Sequence, residues 1–284
     1  MAILSIQSHV AYGHVGNRAA VFPLERLGYE VWPINTVQFS NHTGYGSWKG
    51  EVFTSAHIEL VWSGVKDRGA LASCEAVLSG YMGAAEIGTA VLGAVDDVRK
   101  ANPEAIYCCD PVMGDYGRGF FVGEGIPGFI ETRAARWADI ITPNQFEAEA
   151  LSGGVISDLE SAKRAAESIH ELGPRIVLIT SFEPSGGSGS EISMFLSDGK
   201  EFRTVTTPRL PLDPAPNGAG DLCAALFLGR YLETRDPAES LELMTDSVFA
   251  ILERSLADGS RELRLVQAQE AIARPERRFS SRRV

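Results

Sequence analysis

Short apolar runs alternate with longer amphipathic stretches along almost the whole chain. This alternation limits the fold more than any single motif does. AILSIQS (2–8) reads as a buried first strand, and NRAAVFPLERLG (17–28) as a helix bent at Pro23 and closed by Gly28. YEVWPINTVQF (29–39) is a second strand region, followed by a polar, Gly-rich loop, SNHTGYGSWKG (40–50). SAHIELVWSGVKDRG (55–69) has helical spacing, CEAVLSGYMG (74–83) is a strand that runs into a loop, and AAEIGTAVLGAVDDVRKANP (84–103) is a helix with an Asn-Pro stop. EAIYCCDPVMG (104–114) and RIVLITSF (175–182) read as further strands, and DLESAKRAAESIHELGP (158–174) as a strong helix. ADIITPNQFEAEALSG (138–153) combines a strand, a polar turn and a helix. EPSGGSGSE (183–191) reads as a flexible surface loop. ISMFLSDGKEFRTVTT (192–207) has the pattern of a hairpin turned at Asp198-Gly199, and the C-terminal third is mostly helical. Repeated strand–helix units predict a large, mostly parallel central sheet with helices on both faces, in one α/β domain over residues 1–284.

Composition narrows the class of function. Hydrophobic residues make up 44%, enough for a large core. No run reaches the ~18–20 apolar residues of a membrane span, and MAILSIQSHV has no basic leader, so a cytoplasmic protein is expected. The formal net charge is −11, which argues against a nucleic-acid surface. An anionic substrate must then be held by local devices: helix N-termini, bound cations or a few placed basic groups. The basic tail RPERRFSSRRV (274–284) reads as a solvated, frayed terminus. Cys74, Cys108, Cys109 and Cys223 form no Cys-x-x-Cys pair and read as buried thiols, with Cys108 and Cys109 on opposite faces of a strand. The five histidines show no zinc-site spacing.

In a parallel sheet, ligands gather at the carboxyl ends of the strands. The residues expected there are Ser8, Thr43, Tyr81, Asp110 with Asp115, Asn144 with Glu147, Thr180 with Ser181, and Asp221. Structural turns alone would not need so many acids at one edge. Gly218-Ala219-Gly220-Asp221 opens a helix. Small residues there let an anion approach the unpaired N–H groups, beside a carboxylate able to take a proton. The same four residues also suit an ordinary N-cap after a Gly-rich turn. Carboxylates gathered from separate strands suit a hard cation such as Mg²⁺, although Asn144 and Glu147 also have the capping-box spacing. GYGSWKG lacks the P-loop order, and Ser8-His9 is no catalytic dyad because strand neighbours point apart.

SIQSHVAYGHVGNRAAVFPLERLG, VWPINTVQFSNHTGYGSWKG, AVLSGYMG, CDPVMGD, ITPNQFEAE and the Gly-x-Gly-Asp helix start occur in this order. Together they resemble the PdxY-type pyridoxal kinases of the ribokinase-like superfamily, over essentially the whole chain. The first two segments are specific to the pyridoxal kinase branch, and the last two elements are shared across the superfamily. The resemblance implies a three-layer α/β/α fold, a homodimer, and ATP-dependent phosphorylation of the 5′-hydroxymethyl group of pyridoxal. It implies that Asp221 is the base and that the N–H groups of Gly218, Ala219 and Gly220 form an anion hole. Ser8, Thr43 and Tyr81 would contact the pyridine ring. Asp110, Asn144, Glu147, Thr180 and Ser181 would contact ATP. Asp110, Asp115 and Glu147 would hold Mg²⁺, with Asp110 and Thr142 at a monovalent cation, K⁺ or Na⁺.

Four positions depart from the family's pattern. Ala219 stands where threonine or valine is frequent, and Gly44 where glutamine is frequent. Thr180 stands where lysine occurs among PdxY-type relatives, and Phe120 where some carry cysteine. These changes bear on rate and ring preference. They leave open a kinase of the same fold acting on a hydroxymethylpyrimidine or a sugar alcohol, or a non-catalytic vitamin B6-binding protein.

Overall fold

Strand β1 (Ala2–Val10) sets the frame in the computed structural model, which describes residues 1–183 and 189–284. It is buried nearly end to end because helices cover both of its faces. Leu4 and Ile6 enter one apolar core and Ile3 enters the other, following the two-residue period of a pleated strand. The chain continues through α1 (Asn17–Arg26), β2 (Glu30–Phe39), β3 (Gly50–Val52), α2 (Ser55–Lys66), β4 (Cys74–Ser79), α3 (Ala85–Ala101) and β5 (Ile106–Cys109). A small hairpin, β6 (Gly114–Asp115) and β7 (Gly119–Phe120), precedes α4 (Ile126–Phe129), a π-helical turn (Ile130–Ala134) and α5 (Ala135–Trp137). Next come β8 (Ile140–Ile141), α6 (Gln145–Ser152), α7 (Leu159–Leu172), β9 (Ile176–Phe182), β10 (Glu191–Ser197) and β11 (Phe202–Pro208). The chain ends with α8 (Ala219–Thr234), α9 (Pro237–Ala257), α10 (Gln269–Ala273) and β12 (Arg282–Arg283).

Among the described residues the main sheet has ten strands, in the order β12-β11-β10-β9-β8-β5-β4-β1-β2-β3. The run from β9 through β8, β5, β4 and β1 to β2 is parallel, and both margins are antiparallel. The chain goes from β1 outward to β2, then returns to build β4 on β1's other side. That reversal opens a crevice beyond the carboxyl ends of β1 and β4. Ile58 and Trp62 of α2, Ile87 of α3 and Ile169 of α7 fill one core. Leu24 of α1, Phe227 of α8 and Met244 of α9 fill the other.

Most sequence expectations hold. Cys108 and Cys109 fall in opposite cores, and all four cysteines are buried and unpaired. The hairpin turns where expected: Asp198 accepts from the N–H groups of Lys200 and Glu201 at 2.9 and 2.8 Å, and Gly199 has φ +78°. Residues 184–188 of the expected 183–191 loop lie outside the described residues. Two expectations need correction. The 40–50 loop ends in a short edge strand, β3, paired with β2. The basic tail is not frayed: β12 adds to β11, and the N–H groups of Arg278 and Phe279 both donate to Asp246 on α9. Acids on α9 supply the counter-charge that the tail lacks by itself.

Helix α8 can reach α1 closely because Gly229 has no side chain. A Cβ there would lie 2.7 Å from Leu27 Cδ1 and 3.0 Å from Leu24 Cδ2. The Tyr29 hydroxyl donates to the Gly229 carbonyl at 2.8 Å across the same contact. Gly229→Leu should therefore wedge the two helices apart and lower stability by about 1–3 kcal/mol. Urea unfolding measures this, and an unmoved midpoint would mean that the contact has room to spare.

Candidate active site

A cleft of about 690 Å³ opens beyond the strand ends. It gathers Ser8, Thr43, Tyr81, Asp110, Asp115, Thr142, Asn144, Glu147, Thr180 and the Gly218–Asp221 stretch, so nearly every residue singled out from the sequence lines it. Ser181 is the exception. It faces a second cavity of about 260 Å³, which adjoins the first through Asn144, Thr180, Ala219 and Gly220. The second cavity is mainly apolar, lined by Met194, Val205, Val248, Phe249 and Leu252 among others.

The base of the cleft depends on close backbone approaches. Gly16 has φ +54°, and a Cβ there would overlap the Ser8 carbonyl oxygen at 2.2 Å. Gly218 has φ +90°, and its Cβ would overlap the His14 carbonyl oxygen at 1.9 Å. Glycine at these two sites lets the turn after β1 press between Ser8 and the start of α8. The first turn of α8 leaves the N–H groups of Ala219, Gly220 and Asp221 without intrahelical partners. Gly220 differs from Gly218: a Cβ there would meet no protein atom within 4 Å. Nothing in the fold requires glycine at 220, and the space beside it belongs to the cleft.

Three carboxyls share this floor. Burial pushes Asp221 up to about 6, and the Gly16 N–H directed at it offsets part of that shift. Asp110 is held well above the usual carboxylate range, first by burial and then by the charges of Glu147 and Asp221. Its Oδ1 accepts from the Thr142 hydroxyl at 3.2 Å, while its buried Oδ2 has no hydrogen-bond partner. Burial also raises Glu147, against the pull of backbone donors.

The details change the expected roles of two acids. Glu147 accepts from the N–H groups of Met113 at 2.8 Å, Gly114 at 3.4 Å and Asn144 at 3.0 Å. With Asn144 accepting from Glu147 N–H at 2.9 Å, this is a capping box, and it also braces the 110–115 loop. Glu147 spends its oxygens on backbone, so direct ligation of a metal is a poor fit. Asp115 is turned to Arg118, which donates from Nε at 3.1 Å and from its terminal nitrogen at 3.0 Å. Among the described residues no three His, Cys, Asp or Glu side chains form a metal cage.

One wall is apolar: Val10, Val15, Val37 and Phe39 form a small cluster against which Tyr81 packs. The Thr36 hydroxyl fixes the Tyr81 carbonyl at 2.7 Å. The 40–50 loop carries His42, Thr43 and Trp48 to the cleft. Tyr45 ties that loop down by donating to Glu262, and Arg261 lies 4.0 Å over the Tyr45 ring and donates to the Gly44 carbonyl. Gly44 itself is crowded by His42, and Asn217 Oδ1 lies 3.5 Å from where its Cβ would be. Phe120 is more than half exposed and packs edge-on against Phe146, while its neighbour Phe121 lines the cleft.

Sequence reasoning missed His42, Trp48, Phe121, Asn217 and Arg118. Arg118 is the lone Lys or Arg among the described cleft-lining residues. Its guanidinium sits 4.5 Å over the Phe121 ring. The available signal was a single arginine in a Gly-rich loop three residues after an acid.

The chain is similar to several known proteins. A family model described as phosphomethylpyrimidine kinase matches residues 65–263. The chain is 54% identical to the pyridoxal kinase PdxY of Rubrobacter xylanophilus, over 99% of this chain and 97% of that one. It is 49% identical to the PdxY of Deinococcus radiodurans, over 99% and 96%. Among solved structures, the pyridoxal kinase of Leishmania donovani in complex with ADP and pyridoxine superposes with a TM-score of 0.92 at 30% identity, covering 100% of this chain and 99% of that one. With identity at this level over nearly the full length, on a fold that brings the acids and the open helix start together, the chain belongs to the pyridoxal kinase family.

Proposed function

We propose that the protein transfers the γ-phosphoryl group of ATP to the 5′-hydroxymethyl group of pyridoxal, giving pyridoxal 5′-phosphate. The observation that carries this reading is the unpaired first turn of α8 facing the cleft beside Asp221, with open space at Gly220. The pyridine ring lies against the Tyr81 wall, with Ser8 and Thr43 as its polar contacts and Asn217 beside Gly44. The nucleoside enters the second cavity past Thr180 and Ser181, and its phosphates reach back to Ala219 and Gly220. This charge placement needs no P-loop: the helix N-terminus supplies donors where the phosphoryl oxygens gain charge. Arg118 adds the cleft's positive side chain, released from Asp115 when phosphate arrives.

Asp221 accepts the hydroxyl proton as the O–P bond forms. A group raised to about 6 is ionised at neutral pH yet basic enough to take that proton. The orphaned Asp110 Oδ2 is the group that fits a cation. Mg²⁺, bound there largely through water, would neutralise the phosphates. Asp110 with Thr142 would support a monovalent cation. The unbroken sheet from β3 to β12 supports one kinase domain over residues 1–284. No helix among the described residues is long and apolar enough to cross a membrane. Homodimeric assembly and a cytoplasmic location complete the reading, the first from the family and the second from the need for ATP.

Asp221→Asn should cut kcat by about 10²–10⁴-fold and leave both KM values within a few-fold, measured as ADP release with pyridoxal. A loss of only a few-fold would remove Asp221 as the base. Running pyridoxine, hydroxymethylpyrimidine and a sugar alcohol in parallel fixes the acceptor, and pyridoxal binding without ADP formation would mark a non-catalytic binder.

Gly220→Ala should fold with an unchanged or slightly higher Tm, since no protein atom opposes the methyl group. Turnover should nevertheless fall on the order of 10²-fold, as for the loss of one oxyanion donor. Normal turnover would place the phosphates elsewhere.

The raised Asp221 carboxyl also has a stability signature. The folded state keeps a proton that the unfolded chain has lost, so this contribution is intact below pH 3.8 and declines as pH rises toward about 6. The Tm gain of Asp221→Asn over wild type should therefore grow between about pH 3.8 and about pH 7.5, from the lower edge of that window to above its upper edge. A gain that shrinks with pH would contradict the raised value.

A further inference from the structure

We infer that residues 277–283 form a strap that holds the two walls of the second cavity together, with Phe279 as a positioning residue for the nucleoside. This rests on the reading above that the cavity receives the nucleoside of ATP. One wall comes from β11, through Val205 and Thr207. The other comes from α9, through Thr245, Val248, Phe249 and Leu252. These walls belong to different layers, a sheet margin and a covering helix, and the tail crosses both.

On the sheet side, β12 pairs antiparallel with β11, Arg282 opposite Thr204 and Arg283 opposite Arg203, immediately before Val205. On the helix side, the N–H groups of Arg278 and Phe279 both donate to Asp246 Oδ1 at 3.0 Å. Asp246 is 1% exposed and directly follows Thr245 of the wall. The Ser281 N–H and hydroxyl donate to Glu242 Oε1 at 2.8 and 2.9 Å. Arg278 pairs with Glu253, and Arg277 with Glu242. A buried aspartate that caps backbone N–H groups from a segment more than thirty residues away marks a fixed attachment.

Phe249 connects the strap to the cavity. It lines the cavity. Phe279 meets it edge-on, with centroids 4.9 Å apart and planes at 70°, and the Arg278 guanidinium lies 4.8 Å from the ring centre. Removing the Phe279 ring leaves Phe249 free to change rotamer and alters the wall that the nucleoside meets. The chemistry at Asp221 and the ring site at Tyr81 lie in the other cavity and are left alone.

The experiment is steady-state kinetics with ATP and pyridoxal varied in turn, on the full chain. Phe279→Ala should raise the KM for ATP about twofold to tenfold, the size of one aromatic pair, with kcat and the KM for pyridoxal unmoved. Phe279→Tyr, which keeps the ring, should restore the KM for ATP. If Phe279→Ala does not fold, Arg278→Met removes the cation over Phe249 and carries the same expectation. An unchanged KM for ATP, or a loss of kcat and both KM values together that Phe279→Tyr does not reverse, overturns the strap. Val248→Phe, which fills the cavity itself, separates the two readings. If it leaves the KM for ATP unmoved, the nucleoside does not bind there and the underlying assignment fails. If it raises that KM while Phe279→Ala does not, the strap alone fails.

Discussion

Burying Asp110, Glu147 and Asp221 in one another's field is the constraint on which the rest of the site depends. Burial raises all three, the charges of Glu147 and Asp221 raise Asp110 further, and each needs its own support. Glu147 takes three backbone N–H groups, so it has become part of the frame that fixes the 110–115 loop. Asp221 has the Gly16 N–H and the first turn of α8. Asp110 has the Thr142 hydroxyl on one oxygen and nothing on the other. Support falls in that order, and of the three acids Asp110 is the one left with a buried oxygen, Oδ2, that has no hydrogen-bond partner.

The backbone geometry that permits this cluster comes from two glycines with different neighbours. Gly16 allows the turn after β1 to fold back onto Ser8, and Gly218 allows α8 to start against His14. A Cβ at either position would overlap backbone, the Ser8 carbonyl for Gly16 and the His14 carbonyl for Gly218. Gly220 answers to a different demand, since the protein leaves room at that position. Two glycines of one Gly-x-Gly-Asp stretch therefore serve distinct ends: one packs against protein, the other keeps the path to the N–H groups clear.

The fold was largely legible because its information is local. Continuous apolar runs bounded by turns read as buried parallel strands, and the residues singled out just after them, Ser181 apart, line one cleft. What escaped the sequence depended on partners far along the chain. The tail looked frayed because its acids, Glu242 and Asp246, lie on α9, more than thirty residues earlier and on one face of it. Arg118 was not singled out because an arginine three residues after an acid usually makes only a surface ion pair, and its place in the cleft depends on how the hairpin folds over. Asp115 was expected among metal ligands, but that same arginine holds it. Asn144 and Glu147 matched both a capping box and a polar pair at the cleft, and the structure shows the cap directly.

The departures at Ala219, Gly44 and Phe120 bear differently on the chemistry. The proposed anion hole would use backbone N–H groups, which Ala219 supplies as well as threonine would. Phe120 packs on Phe146, and Phe121 is the one that meets the cleft, so an aromatic at 120 alters the hairpin's packing more than the reacting centre. Gly44 is different. It sits between His42 and Asn217, where a longer side chain would have to displace the imidazole. His42 accepts the Gly44 N–H at 3.1 Å and closes that space itself. His42, Thr43 and Asn217 thus line the part of the cleft that a glutamine at 44 would enter.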